Sequence, residues 1–300
     1  MRVLITTSSF GEEGIQIIQK SGIEVVNNPY GRKITQTEAV SLLKDVDGVI
    51  AGLEYYDYTL LSETKLKVIS RCGSGLSNID LDAAKNLGIA VYSTPEGPTQ
   101  SVAELTVGCL LALIRDVPNV NNLMHKGKWK KVTGHLLKDM KVLLIGYGRI
   151  GRVVAKILDA IGAKILVSDP FVSSENIPEN FTKVELIEGI RKADVITLHS
   201  SGKDLMLCQK EFELMKSGVY ILNVSRGGLI DEDALEMGLI NNKVAGAWLD
   251  TFQQEPYDGN LSKFENVILT PHIGSYTYEG RRKMEIDTVN NLIKGLGSNV

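Results

Sequence analysis

The sequence predicts an α/β chain of two lobes, each built on a parallel sheet. Three observations carry this prediction. Short apolar runs alternate with helical patterns from end to end. A glycine-rich loop opens the second series of runs. A length of 300 residues exceeds what one core usually organises. With 43% hydrophobic and 23% charged residues, the composition supplies ordinary globular cores and excludes disorder.

The first runs are "RVLIT" (2–6), "IEVV" (23–26), "GVIA" (48–51), "KVIS" (67–70) and "IAVY" (89–92), which make a small open sheet. Residues 99–126 read mainly as helix, with Pro118 predicting a kink or break. The apolar side of this segment is rich enough to serve an inter-lobe contact, a subunit contact or an internal core. The second series is "KVLLI" (141–145), "KILVS" (164–168), "VITLH" (195–199), "VYILNV" (219–224), "VAGAWL" (244–249) and "VILT" (267–270). Six strands with helices between them match a doubly wound sheet. The tail, 277–296, carries helical spacing and is expected to return to the first lobe.

Lys and Arg number 33 against 36 Asp and Glu, a net charge of -3, so no overall positive field draws nucleic acid or an anionic membrane. Three cysteines, Cys72, Cys109 and Cys208, show no CxxC spacing and fit a reducing, cytoplasmic setting. The first residues, "MRVLITTSSFGEEG", read as a strand and lack the long apolar region of a secretion leader. The most apolar stretch, "SVAELTVGCLLALI", is interrupted by Glu104 and is too short to cross a bilayer. No membrane span and no metal are expected.

"GYGRIG" at 146–151 matches GxGxxG between the strand "KVLLI" and a helix whose apolar face runs through Ile150, Val153, Val154, Ile157, Leu158 and Ile161. Gly146 permits the tight turn, Gly148 admits a pyrophosphate to the backbone, and Gly151 allows close helix packing. Amides at the helix start then face the phosphates. Eighteen residues after Gly151, "VSDP" places Asp169 where an acid accepts from the adenosine ribose hydroxyls. A 2′-phosphate would meet it as a like charge, and no arginine follows in "DPFVSSEN", so NAD is expected over NADP.

Three late strands deliver polar groups to the edge where a doubly wound sheet binds ligands. "VYILNV" leads into "SRGGLID" with Arg226, "VAGAWL" into "DTFQQEP" with Asp250 and Glu255, and "VILT" into "PHIGS" with His272. A base, a carboxylate and a guanidinium beside a nicotinamide suit oxidation of an alcohol next to an anionic group. His272 would exchange the hydroxyl proton. Glu255 would fix its tautomer and favour the imidazolium. Arg226 would hold the substrate carboxylate in a planar fork. Singly, each has a bland reading: a surface arginine, a solvated glutamate, a histidine capping a loop. Their joint arrival at strand ends is what points to chemistry.

The motifs "RCGSGLSNID" (71–80), "SVAELT" (101–106), "GYGRIG", "NVSRGGLID" (223–231), "LDTFQQEP" (249–256) and "TPHIGS" (270–275) resemble the D-isomer-specific 2-hydroxyacid dehydrogenase family over nearly the whole chain. The resemblance implies a Rossmann NAD-binding domain, 98–275, inserted in a flavodoxin-like substrate-binding domain, 1–97 and 276–300. It implies the trio Arg226, Glu255 and His272. Cofactor contacts are implied from Gly146, Gly148, Arg149, Ile150, Gly151, Asp169, the Val224-Ser225-Arg226 turn, Asp250 near the carboxamide, and Gly274. Backbone amides of Cys72, Gly73, Ser74, Gly75 and Leu76 are implied to hold the substrate carboxylate, and residues 101–126 to form a homodimer.

Within the family the pattern is nearest the phosphoglycerate dehydrogenase group, so the expected pair is 3-phosphoglycerate and 3-phosphohydroxypyruvate; Arg71, beside the carboxylate turn, is read either as a contact to the phosphate or as half of a surface ion pair. Hydroxypyruvate or glyoxylate reduction is the alternative. An NAD(H)-binding corepressor-like scaffold is a reading of another class. With the chain ending near residue 300, no C-terminal regulatory domain is expected. Departures from the family pattern are the loop "HSSGKDLMLCQ" (199–209), which lacks an HxPxT run and offers Ser200 as a cofactor contact instead, Ser77 where Asp is common, and "PTQSVAE" in place of an Asn-bearing version.

Overall fold

The computed structural model describes residues 1–202 and 204–297. Lys203, in the atypical 199–209 loop, and residues 298–300 of the returning tail lie outside the described residues. The chain divides into two compact units, Met1–Pro98 with Ser275–Val300, and Thr99–Gly274.

The first unit alternates β1 (Arg2–Ile5), α1 (Glu12–Lys20), β2 (Glu24–Asn27), α2 (Gln36–Leu43), β3 (Gly48–Ala51), α3 (Tyr58–Ser62), β4 (Val68–Arg71), α4 (Leu81–Asn86) and β5 (Ala90–Tyr92). The second holds α5 (Thr99–Ile114), α6 (Val117–His125), β6 (Lys141–Ile145), α7 (Arg149–Ala160), β7 (Lys164–Ser168), β8 (Thr182–Lys183), α8 (Leu186–Lys192), β9 (Val195–Leu198), α9 (Gln209–Leu214), β10 (Val219–Asn223), α10 (Glu232–Ile240), β11 (Val244–Leu249) and β12 (Val267–Leu269). The last helix, α11 (Tyr278–Gly295), belongs to the first unit again. Among the described residues, no helix is long and apolar enough to cross a membrane.

The first sheet has the order β2-β1-β3-β4-β5, all parallel. Side chains alternate across its strands, so both faces need a cover. One packs Val49, Ala51 and Ile69 against Leu43, Leu60 and Leu61; the other packs Val3, Ile5, Ile50 and Val68 against Ile18 and the α11 residues Met284, Val289 and Leu292. Side-chain caps fix helix starts near this sheet: Thr35 and Glu38 form a reciprocal box on α2, while Asp57 and Asp80 accept from Leu60 and Ala83 amides at 2.8 and 2.9 Å.

The second sheet runs β12-β11-β10-β9-β6-β7-β8, also parallel. Six strands were expected and seven form. The extra one, β8, is the two-residue pair Thr182-Lys183, too short and polar to leave a period in the sequence. The 99–126 segment breaks at Asp116, which takes φ 53, and Pro118 lies in the first turn of α6. Its missing N–H costs nothing in a first turn. One face of α5 joins an internal core: Val102, Ala103, Val107, Leu110 and Ile114 are buried with Val142, Leu144, Val154 and Trp248 of the same unit.

Register lines up the strand ends that matter. Ser168, Ile145, Leu198, Asn223, Leu249 and Leu269 are paired neighbours across the sheet. The residues that follow them, from Asp169 and Gly146 to Val224, Asp250 and Thr270, therefore form one row at steps of about 4.8 Å.

Candidate active site

The glycine loop sits in the middle of that row. Gly146 takes φ +98, and a Cβ there would lie 2.7 Å from the carbonyl carbon of His199, so only glycine fits between the ends of β6 and β9. A Cβ on Gly151 would strike the Gly146 carbonyl, whereas around Gly148 the space is open. Gly148 caps α7 without a side-chain bond, which leaves the helix start turned to a ligand. Asp169, at the end of the adjacent strand, accepts the Tyr147 amide at 2.7 Å and the Phe171 amide at 2.9 Å. A carboxylate has about four lone-pair sites, so it can still accept from ribose hydroxyls. Open backbone at Gly148, an uncapped helix and an acid tied to the loop fit a dinucleotide.

Beside the loop, His199 is a site sequence reasoning left unused. Its Nε2 lies 3.0 Å from the Thr197 hydroxyl, its Nδ1 is buried without a partner among the described residues, and burial pushes the imidazole down to about 3. The ring is neutral and lies behind the turn. Ser200, offered as a cofactor contact, accepts the Gly202 amide at 3.1 Å.

On the other side of β9, the turn after β10 is held from below. Ser225 donates its hydroxyl to the Leu198 carbonyl at 2.8 Å, and Asn223 donates to the Arg226 carbonyl at 2.8 Å while accepting the Ser225 amide at 3.1 Å. Gly227 lies so close to the Phe252 backbone that any Cβ would overlap it. That contact holds the Arg226 turn against the loop bearing Glu255. Asn223 and Gly227 escaped the sequence reading; the polar last residue of an otherwise apolar strand and the doubled glycine in "SRGG" were their only signals.

His272 meets Glu255 directly, Nδ1 to Oε2 at 3.0 Å, with both side chains about half exposed. The other carboxylate oxygen, Oε1, accepts the Phe252 amide at 3.2 Å. The hydrogen bond to Glu255 raises the His272 pKa above its ordinary value, against the opposing effect of burial; the charges of Glu255 and Asp250 add to the rise and that of Arg226 subtracts. For Glu255 burial pushes upward, but the His272 bond and the charges of His272 and Arg226 win, leaving it below the usual carboxylate range. Arg226, whose Nη1 donates to the Ser225 carbonyl at 2.6 Å, is thus felt by both partners.

The imidazole is aimed by an unusual backbone. His272 takes φ 55, a conformation that costs a non-glycine residue roughly 1–2 kcal/mol. Asp250 holds it there. Only 1% exposed, its carboxylate accepts the Thr270 hydroxyl at 2.6 Å, the Ile273 amide at 2.9 Å and the Gly274 amide at 2.8 Å. The Thr270 hydroxyl in turn accepts from the Trp248 indole at 3.0 Å. The acid expected near a carboxamide is, in this structure, the anchor of the histidine loop, a role its strand-end position alone does not announce.

The structure brings Arg226, Glu255, His272, Asp250, Gly274, Val224 and the glycine loop to one sheet edge of the second unit. Arg71 and the 72–76 turn lie in the first unit, at the end of β4. Two of the amides expected to bind a carboxylate are already engaged: Cys72 donates to the Ala51 carbonyl at 3.1 Å and Gly73 to the Thr94 hydroxyl at 2.9 Å. This narrows the set to Ser74, Gly75 and Leu76, whose amides have no partner among the described residues. Arg71 is turned inward, with Nη1 donating to the carbonyls of Cys72 and, at 3.5 Å, Ala51.

Residues 107–274 match the family model of the D-isomer specific 2-hydroxyacid dehydrogenase, NAD binding domain. A hydroxypyruvate reductase of Thermotoga maritima is 37% identical over 292 residues, 94% of this chain and 94% of that protein. A D-3-phosphoglycerate dehydrogenase of Methanocaldococcus jannaschii is 36% identical over 93% of this chain but only 54% of that protein. The chain spans about half the length of the curated phosphoglycerate dehydrogenases it matches. Among solved structures, the TT0316 protein from Thermus thermophilus superimposes with a TM-score of 0.92 at 30% identity, covering 99% of this chain and 97% of that one.

Proposed function

Because the chain belongs to the D-isomer specific 2-hydroxyacid dehydrogenase family, we propose that it transfers a hydride between NAD and a D-2-hydroxy acid/2-keto acid pair. The observation that carries this reading is the 3.0 Å His272–Glu255 pair, standing on the same row of strand ends as the glycine loop. With Nδ1 bonded to Glu255, Nε2 of His272 is the nitrogen left to face substrate. In oxidation it takes the hydroxyl proton as the hydride leaves the adjoining carbon; in reduction it returns that proton to the carbonyl oxygen. Arg226 holds the carboxylate beside the reacting carbon. With the glycine loop holding the pyrophosphate, bound NAD would supply the hydride acceptor or donor. Glu255 keeps the ring in one tautomer and stabilises the imidazolium, which a scaffold that only binds dinucleotide does not need.

For the substrate, the likeness to a hydroxypyruvate reductase over 94% of both chains favours an unphosphorylated three-carbon acid such as hydroxypyruvate. The 3-phosphohydroxypyruvate reading retains the support of the phosphoglycerate dehydrogenases among the relatives. A cytoplasmic homodimer built through residues 101–126 belongs to the same proposal. The test is NADH consumption with hydroxypyruvate, glyoxylate, pyruvate and 3-phosphohydroxypyruvate in turn, repeated with His272→Ala. Turnover of at least one acid is expected, lowered by about 10²- to 10⁴-fold in the variant with NADH affinity kept. Silence with all four acids despite NADH binding would overturn the enzyme reading, and full activity in the variant would remove His272 from the chemistry.

A further inference from the structure

Resting on the dehydrogenase reading, we infer that Thr270 is a positioning residue for His272: its hydroxyl, aimed by the buried Trp248 indole, locks the Asp250 carboxylate onto both sides of the histidine turn. That turn leaves β12, a three-residue strand at the edge of the second sheet with β11 as its neighbour, so backbone pairing alone gives it little support. The side chains that steady it come from the β11 side. Trp248 pairs in register with Ile268. Thr270, whose amide continues the ladder to the Leu249 carbonyl at 3.0 Å, stands two residues further on, within diagonal reach of an aromatic side chain on the same face.

Donor chemistry fixes the direction of each bond. An indole can only donate, and Nε1 of the fully buried Trp248 gives its proton to the Thr270 hydroxyl oxygen at 3.0 Å. The hydroxyl has one proton, which goes to Oδ1 of Asp250 at 2.6 Å. That oxygen also accepts the Ile273 amide at 2.9 Å, and Oδ2 accepts the Gly274 amide at 2.8 Å. The approach is close, since a Cβ on Gly274 would lie 3.1 Å from Oδ2. Thr270 precedes His272 and the two amides follow it, so the carboxylate grips a residue at φ 55 from both sides. Without the hydroxyl one side of the grip opens. The carboxylate can then rotate, the strained backbone relaxes, and Nδ1 of His272 leaves its 3.0 Å contact with Glu255.

The test uses three variants. Thr270→Val keeps the size of the side chain and deletes the hydroxyl, Thr270→Ser keeps the hydroxyl and deletes a methyl, and Trp248→Phe keeps a ring and deletes the N–H. The first measurement needs no substrate: the imidazole of His272, assigned by its loss in His272→Ala, is titrated by proton NMR. Glu255 and Asp250 raise its pKa, while burial and the Arg226 charge oppose them, so a ring that leaves Glu255 should titrate roughly half a unit to one unit lower in Thr270→Val. The second is kcat for NADH-dependent reduction of the best of the four acids. It should fall about 10- to 100-fold in Thr270→Val, the worth of one hydrogen bond to a charged group, and about 3- to 10-fold in Trp248→Phe, with Thr270→Ser recovering most of the loss. A packing role predicts the opposite order, Thr270→Val close to the wild type and Thr270→Ser the weaker; that order, or an unmoved His272 titration in Thr270→Val, would overturn the inference. Should Thr270→Val not fold, Trp248→Phe decides by the same two measurements, and a wild-type titration and rate there would overturn it equally. A lowered titration in a protein whose wild type turns over none of the acids keeps the positioning role and removes the dehydrogenase reading, whereas turnover with an unmoved titration does the reverse.

Discussion

Glu255→Gln separates what the acid does by charge from what it does by shape. Glutamine keeps a side-chain oxygen at nearly the same place, so the contact to Nδ1, 3.0 Å in the wild type, can survive while the charge is lost. Two unit charges about 4 Å apart attract by about 1 kcal/mol in water and about 4 kcal/mol in a typical protein surface environment. With the two side chains 47% and 38% exposed, the low end applies. A loss of about 1–2 kcal/mol corresponds to roughly one pKa unit. The direction follows from His272 being raised by Glu255: reduction of a keto acid needs the imidazolium, which in the wild type persists to higher pH. In the variant the falling basic limb of kcat/KM for reduction therefore moves about one unit toward acid. Oxidation, which needs neutral imidazole, gains at low pH. Steady-state rates in both directions across pH measure this, and superimposable limbs in wild type and variant would show that the acid does not tune the ring.

Arg226→Lys should lower kcat/KM roughly 10- to 100-fold, because a point charge cannot reproduce two parallel bonds to a carboxylate; unchanged steady-state constants would argue against the clamp. Asp169→Ala should weaken both dinucleotides, since its carboxylate also holds the Tyr147 and Phe171 amides, but it should reduce the NAD-over-NADP ratio of kcat/KM, and a constant ratio would mean that it does not read the ribose. The partly buried His199, held neutral with its pKa down at about 3, binds its proton more readily when unfolded. Its contribution to stability is complete above about pH 6.5 and is lost as pH falls toward 3. His199→Gln should therefore flatten the acid limb of urea stability by roughly 3 kcal/mol near pH 4, and equal slopes in the two proteins would contradict a buried neutral ring.

Much of this was legible because parallel sheets write themselves plainly: buried strands such as "KVLLI" and "VITL" are continuous apolar runs. The trio was legible for a related reason, since Arg226, Glu255 and His272 interrupt apolar patterns just past strand ends. What stayed hidden depends on three-dimensional contact. The sequence cannot say that the Asp250 carboxylate turns to the 270–274 loop, because that is a matter of rotamer. The engaged amides of Cys72 and Gly73 depend on the Ala51 carbonyl and the Thr94 hydroxyl brought to the end of β4, and the turn of Arg71 on its rotamer, which sets Nη1 on the carbonyls of Cys72 and Ala51. The two residues of β8 form a strand only because β7 offers an edge.

Both sheets carry a nearly buried carboxylate just past their strand ends, and the difference between the two decides how each should be read. Asp250 has both oxygens bonded, to one hydroxyl and two amides of a single loop. An anion bonded in this way within its own unit is stabilised in place, and its charge serves to hold His272 in a backbone conformation the residue would not adopt alone. Glu54 gathers its donors from the ends of two strands, and all of them reach one oxygen. A buried carboxylate bonded through one oxygen alone is costly to keep. The same residue chemistry at the same place in a parallel sheet thus meets three donors in each unit, spread over both oxygens of Asp250 and gathered on one oxygen of Glu54.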